Sequence, residues 1–235
     1  LAATEALVAL RRWPVPPSLP VRGSTPHSLP AYDRRALGIE TELLIDWYHP
    51  ALLGAPADAA TRRRFLDLWS PVLDLLAGDT RGLVMRDYHS PNLMWRAGRD
   101  GLERVGVLDF QDAMRGSWAY DVVSLLQDAR LDVGADLEAR LLDHYCRAVS
   151  RDDQGFDSDA FRLAYAAFGA QRNTKILGIF ARLARRDGKT QYLRHIPRIW
   201  GYLARDLAHP RLAALGAWYD ETFPPTLRSV IPGGA

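Results

Sequence analysis

The chain is poor in cysteine and, less commonly, in lysine. A single cysteine, Cys146, stands among 235 residues. That excludes an internal disulfide framework and fits a reducing compartment such as the cytoplasm. Of the 30 basic residues only Lys175 and Lys189 are lysines and the rest are arginines, so any chemistry that needs a lysine has two candidates. Net charge is nearly absent as well: 30 Lys and Arg face 28 Asp and Glu, for +2. A dedicated nucleic-acid binder usually concentrates a large basic excess, and that class is set aside. No apolar run reaches 18 residues, so no membrane-spanning helix is expected. Leu1 to Leu10 carries Glu5 and has no basic flank before it, and so does not read as a signal peptide. There is no G-x-S-x-G elbow and no Cys/His metal spacing. The opening LAATEALVALRRW reads as a helix already under way, with the expectation that further sequence precedes Leu1.

What is present is an ordinary globular mixture, 48% hydrophobic and 25% charged, long enough to bury one large core or two small ones. A first helix is expected over Ala2 to Trp13. Six prolines between Pro14 and Pro30 mark a loop or linker. Leu29 to Leu53 reads as one helix, and Thr61 to Leu76 as an amphipathic helix whose apolar face packs in a core. At Gly82 the pattern turns to short strands, LVM, LMW and VGVLDF, separated by a polar loop and a turn at AGRDG. From Trp118 the pattern is helical again, over roughly 119–131, 135–150, 158–186, 190–207 and 211–219.

The short-strand insert carries the chemistry. It reads LVMRDYHSPNLMW and later LDFQD, which places Asp87 and Asn92 five apart and Asp109 at the end of an apolar run. This is the spacing of a kinase-type catalytic loop, D-x-x-x-x-N followed by a strand ending in Asp-Phe. A phosphoryl acceptor hydroxyl needs a carboxylate to orient it and take its proton, the part of Asp87. A triphosphate needs Mg²⁺, for which the Asn92 amide oxygen and the Asp109 carboxylate are hard ligands. The plainer reading is that Asp87 and Asn92 form Asx-turns in a surface loop and that Asp109 caps a strand.

These residues, with ETELLIDWYHPALLG, DFQDAMRGSWAYDVVSLLQD and QRNTKILGIFARLARRDGKTQYLRHIPR, resemble the aminoglycoside phosphotransferase and choline kinase superfamily. Within it they are most similar to the branch that phosphorylates the anomeric hydroxyl of N-acetylated amino sugars (N-acetylmuramate, N-acetylglucosamine) in cell-wall recycling. The resemblance implies a mainly α fold with a small β insert, the C-terminal lobe of a protein-kinase-like fold, with the N-terminal lobe absent from the chain. Residues 1–30 would be a hinge helix and Pro-rich linker, and 31–235 a helical lobe with its catalytic loop at 85–112. It implies ATP as donor, Mg²⁺ as cofactor, a small sugar as acceptor, and neither nucleic acid nor membrane as partner. Asp121 falls at the family's buried acid that positions the catalytic loop, and Arg86 is a further support of that loop. Two departures stand out. The family's His two residues before the catalytic Asp is Met85 here, and no glycine-rich loop or phosphate-binding lysine precedes residue 80.

Three further residues are candidates for the acceptor. His89 lies inside the loop, and either touches the sugar or a phosphate or bonds to backbone. Asp112 either binds sugar hydroxyls or forms a turn. Arg172 shares a helix face with Gln171 and Lys175; the face either meets an anionic or N-acetyl sugar or is solvated. Trp47 and Tyr48 have core spacing, although aromatic rings also stack on sugars. Two alternative functions stay open, a kinase of another small alcohol (an aminoglycoside, choline or homoserine) and a binding module that kept the fold without the catalysis. The arginine-rich C-terminal helices disfavour a cationic acceptor.

Overall fold

A computed structural model describes residues 1–13 and 15–230. In chain order the elements are α1 (Ala2–Leu10), β1 (Ser18–Leu19), β2 (His27–Ser28), α2 (Arg34–Leu43), a π-helical turn (Leu44–Tyr48), α3 (His49–Leu53), α4 (Ala59–Ala77), β3 (Gly82–Val84), β4 (Leu93–Trp95), β5 (Val105–Val107), β6 (Met114–Gly116), α5 (Ala119–Leu126), α6 (Ala135–Asp152), α7 (Ser158–Asp187), α8 (Ile196–Leu207), α9 (Ala213–Thr222) and α10 (Pro225–Arg228). The expected mainly helical chain with a small β insert is what is observed. The chain divides into two units, Leu1–Asp33 with Ala77–Tyr165, and Arg34–Leu76 with the residues from Ala166 onward.

The first unit holds all the strands found among the described residues. β4 and β5 form an antiparallel hairpin, with Leu93 opposite Val107 and Trp95 opposite Val105. β3 pairs antiparallel with β6, Val84 opposite Met114. β6 is a strand that the sequence pattern did not announce, because Met-Arg-Gly has no alternation to read. Close approach makes the pair possible: a Cβ on Gly82 would lie 2.8 Å from the Trp118 ring and 2.9 Å from the Gly116 carbonyl oxygen.

The predicted helix over Leu29 to Leu53 begins late. Leu29 to Tyr32 is extended, and runs beside β6 through Arg115 N–H to the Pro30 carbonyl (2.8 Å) and Tyr32 N–H to the Arg115 carbonyl (2.8 Å). Pro30 favours this, since proline biases its predecessor away from helix and cannot itself donate. Tyr32 then packs edge-on against Tyr120, ring centroids 5.1 Å apart. Together with Leu7, Val84, Tyr88, Val122, Val123, Tyr145 and the thiol of Cys146, these residues form the buried core of this unit.

Among the described residues, the regular elements of the second unit are all helical. Its core is an aromatic cluster of Tyr48, Phe65, Trp69, Trp200, Trp218, Tyr219 and Phe223. Aromatic rings at centroid separations of 5–6 Å add edge-to-face attraction to their large buried area. Leu37, Glu40, Thr41, Leu44, Ile45, Tyr48 and His49 face inward along one continuous stripe that runs from α2 through the π turn into α3. Tyr48 is a core residue. Its hydroxyl accepts a hydrogen bond from Trp200 Nε1 (2.8 Å), and burial pushes its pKa up to about 12. The solvated face expected of Gln171, Arg172 and Lys175 is instead interior: Gln171 and Arg172 are buried, and Lys175 Nζ meets Glu40 Oε1 at 2.8 Å.

Candidate active site

The loop after β3 is shaped from behind by α5. Asp121, in the first turn of that helix and 1% exposed, accepts the Met85 N–H on Oδ2 (2.7 Å) and the Arg86 N–H on Oδ1 (3.1 Å). One turn later, the Ser124 hydroxyl donates to the Arg86 carbonyl (3.4 Å). The peptide groups on either side of Arg86 are thus gripped, and Arg86 adopts φ 68°. A left-handed conformation costs a non-glycine residue about 1–2 kcal/mol and persists only where its surroundings impose it. The Arg86 guanidinium lies over the Tyr32 ring, 5.8 Å from its centroid.

That bend sends successive side chains in opposite directions. Asp87 faces solvent, its side chain 55% exposed. Tyr88 is fully buried, and its hydroxyl donates to the Ala3 carbonyl at 2.9 Å, which ties the loop to α1. Burial, and secondarily the Asp121 carboxylate, raise the Tyr88 pKa, so its hydroxyl stays protonated as a donor. A 3-10 turn over Ser90–Asn92, with Pro91 inside it, closes the loop.

Asn92 is the junction. Its Nδ2 donates to the Asp87 carbonyl (3.1 Å) and to Asp109 Oδ2 (3.3 Å). The β4–β5 hairpin supplies the register: Leu108 N–H donates to the Asn92 carbonyl (2.9 Å), which carries Asp109 alongside. Asp109 has φ 59°. Arg86 and Asp109 are the two non-glycine residues with positive φ among the described residues, and they flank the same constellation. Asp109 Oδ1 also receives Gln111 Nε2 at 2.6 Å.

The three residues singled out by spacing therefore come together. Asx-turns in a plain surface loop account for neither the strain at Arg86 and Asp109 nor the amide bridge between the two segments. No cluster of three acidic, His or Cys side chains that could hold a metal occurs among the described residues. Magnesium handling ATP does not need one, since it keeps waters and phosphate oxygens and takes one or two protein ligands. The Asp109 carboxylate and the Asn92 amide oxygen fit that donor set, because no described donor reaches Asn92 Oδ1.

The remaining candidates are distributed differently. His89 is 7% exposed, with Nε2 3.8 Å from Asp87 Oδ1 and 3.5 Å from Arg130 Nη1. Asp112 is exposed in a turn closed by Ala113 N–H to the Phe110 carbonyl (3.1 Å). Arg172 is buried in α7 within the second unit. Sequence reasoning missed Asp128, which is 2% exposed. Its Oδ2 accepts the Ser90 N–H (3.0 Å), and its Oδ1 accepts the Arg130 and Leu131 N–H groups (2.7 and 3.2 Å). This second buried carboxylate pins the far end of the loop. A partner 38 positions away in the chain leaves no local signal in the sequence.

Residues 2–162 match the family model described as "Phosphotransferase enzyme family". The chain belongs to that family. It is 41% identical over 223 residues, 95% of its length, to an N-acetylmuramate/N-acetylglucosamine kinase of Caulobacter vibrioides. It is 36% identical over 195 residues, 80% of its length, to a protein of the same name from Pseudomonas aeruginosa, and 33% identical over 222 residues, 93% of its length, to one from Pseudomonas putida. The chain spans 60%, 55% and 61% of these relatives, respectively. No helix of the described residues is long and apolar enough to cross a membrane.

Proposed function

We propose that this chain carries the catalytic, C-terminal lobe of a small-molecule kinase. The enzyme transfers the γ-phosphoryl group of ATP to a hydroxyl of an N-acetylated amino sugar, N-acetylmuramate or N-acetylglucosamine, at the anomeric position. The observation that carries the reading is the Asn92 amide, which spans the Asp87 main chain and the Asp109 carboxylate. It joins a solvent-facing carboxylate to a pair of hard oxygen donors across two strand-borne segments. The names of the relatives supply the acceptor class.

In this reading Asp87 hydrogen-bonds the sugar hydroxyl, orients its oxygen toward the γ-phosphorus and receives its proton as the new P–O bond forms and the β–γ bridging P–O bond breaks, releasing ADP. Asn92 and Asp109 would hold Mg²⁺, which when bound neutralises phosphate oxygens. Asp121, Ser124 and Asp128 keep the loop backbone in place, so little reorganisation is left to the reaction. Met94 and Trp95 in β4 and Leu108 and Phe110 after β5 are exposed apolar residues, and the nucleotide-holding lobe of a kinase-like fold would cover some of them.

Replacing Asp87 by Asn in the enzyme, expressed over its full reading frame, should cut turnover by about 10²–10⁴-fold while Mg-ATP still binds. Turnover close to that of the unaltered enzyme would remove Asp87 from the role. ADP release screened across amino sugars, aminoglycosides, choline and homoserine tests the acceptor class, and a preference for any of the last three would replace the amino-sugar assignment.

A further inference from the structure

Arg130 has no task in the chemistry above, yet it is fixed beside it. It is exposed in the loop between α5 and α6. Its N–H is held by Asp128 Oδ1 (2.7 Å), and the other oxygen of the same carboxylate holds the Ser90 N–H of the catalytic loop (3.0 Å). The main chain of Arg130 is thereby tied to the loop that carries Asp87. Its guanidinium Nη1 lies 3.5 Å from His89 Nε2, and that same nitrogen lies 3.8 Å from Asp87 Oδ1. Among the described residues the guanidinium pairs with no carboxylate.

Other cations of this unit have different positions. Arg86 lies over Tyr32, Arg115 Nε donates to the Leu29 carbonyl (3.3 Å), and neither lysine of the chain belongs to the unit. A positioned guanidinium without an acid partner is a receptor for a planar anion, which it grips with two parallel N–H groups. The contacts also say which reactant carries that anion. Asn92 and Asp109 are reached from Asp87 through its main-chain carbonyl, whereas Arg130 is reached through its carboxylate and His89. The molecule that the Asp87 carboxylate engages is the acceptor.

We propose that Arg130 is a specificity-determining residue that binds a carboxylate carried by the acceptor sugar. The inference rests on the amino-sugar kinase reading. Of the two sugars, N-acetylmuramate carries such a group, its lactyl ether, and N-acetylglucosamine does not. Arg130 then favours the acidic sugar, while the neutral one is held by contacts common to both.

The test measures kcat/KM for both sugars in the unaltered enzyme and in Arg130→Gln and Arg130→Lys, each expressed over the full reading frame. The ratio of N-acetylmuramate to N-acetylglucosamine should fall about tenfold or more in Arg130→Gln, as expected for loss of a charge-assisted pair. Arg130→Lys, which keeps the charge and loses the fork, should recover part of it. A ratio within about twofold of the unaltered enzyme overturns the assignment. Loss of turnover on both sugars together overturns it as well, since that would make Arg130 a contact of the transferred group. An unaltered enzyme that phosphorylates neither sugar removes the amino-sugar reading itself, and this assignment with it.

Discussion

Asp121→Asn isolates what holds the catalytic loop. In the native structure the two carboxylate oxygens receive two adjacent backbone N–H groups, those of Met85 and Arg86, inside a site that is 1% exposed. An asparagine keeps one acceptor oxygen and turns an NH₂ group toward the other backbone N–H. One hydrogen bond to a charged group is lost, about 1.5–3 kcal/mol, and a buried donor is left without a partner, which costs about 1–3 kcal/mol. The two overlap, because the loop can yield, so a destabilisation of about 3 kcal/mol is expected. This is a large part of the stability of a typical domain but short of unfolding it. The loop would yield at Arg86, whose φ of 68° is the strained link. Arg86→Gly in the Asp121→Asn background should therefore recover about 1 kcal/mol, since glycine adopts that φ without penalty. Urea unfolding of the three proteins gives the midpoints, and an unchanged m-value secures the comparison. If Asp121→Asn unfolds within about 0.5 kcal/mol of the unaltered protein, the carboxylate is not what supports the bend.

Two other perturbations test the second unit. A Cβ on Gly178 of α7 would overlap the Leu43 main chain just before the π turn. Gly178→Ala should therefore destabilise by about 1–3 kcal/mol even though alanine is worth about 1 kcal/mol more than glycine inside a helix; a higher urea midpoint would refute the contact. His49, 8% exposed with Nδ1 3.1 Å from the Ala55 carbonyl, has its pKa held below the ordinary 6.5 by burial, against the opposing pull of that carbonyl and Asp58. Below about pH 6.5 the unfolded chain takes up a proton that the folded one resists, so this stabilisation is complete above that pH and is lost as pH falls through the depressed folded value. His49→Gln should flatten the fall in melting temperature on the acid side, and identical pH profiles for the two proteins would show that His49 does not contribute.

The sequence revealed the site more readily than the frame around it. Asp87, Asn92 and Asp109 were legible as a candidate group because their residue types and spacing fall along a short stretch, which a hairpin then brings together without long-range help. Helices α4, α6 and α7 were legible from their apolar period. The π turn was not, because Leu-Ile-Asp-Trp-Tyr fits a regular helix equally well, and the close approach of Gly178 to the Leu43 main chain just before the turn comes from far along the chain. Leu29 to Tyr32 was misread as helix for the same reason: its conformation is set by pairing with Arg115, 83 or more positions along the chain. Lys175 was expected on a solvated face because charge alone argues for water, whereas Glu40 compensates it in the interior.

The two carboxylates that brace the loop and the two proposed to act in it divide by burial. Asp121 and Asp128 are buried, and each spends its oxygens on backbone N–H groups, acceptor contacts that a buried carboxylate needs if it is to stay charged. Asp87 and Asp109 are exposed, and among the described residues no backbone donor reaches the Asp87 carboxylate. A carboxylate committed to backbone could not also take a proton from a substrate or share a cation, and one left open to water could not fix a strained turn. The left-handed Arg86 links the two roles. Asp121 imposes the bend there, the bend turns Asp87 outward and Tyr88 inward, and the cost in backbone strain sits on the residue immediately before the proposed base.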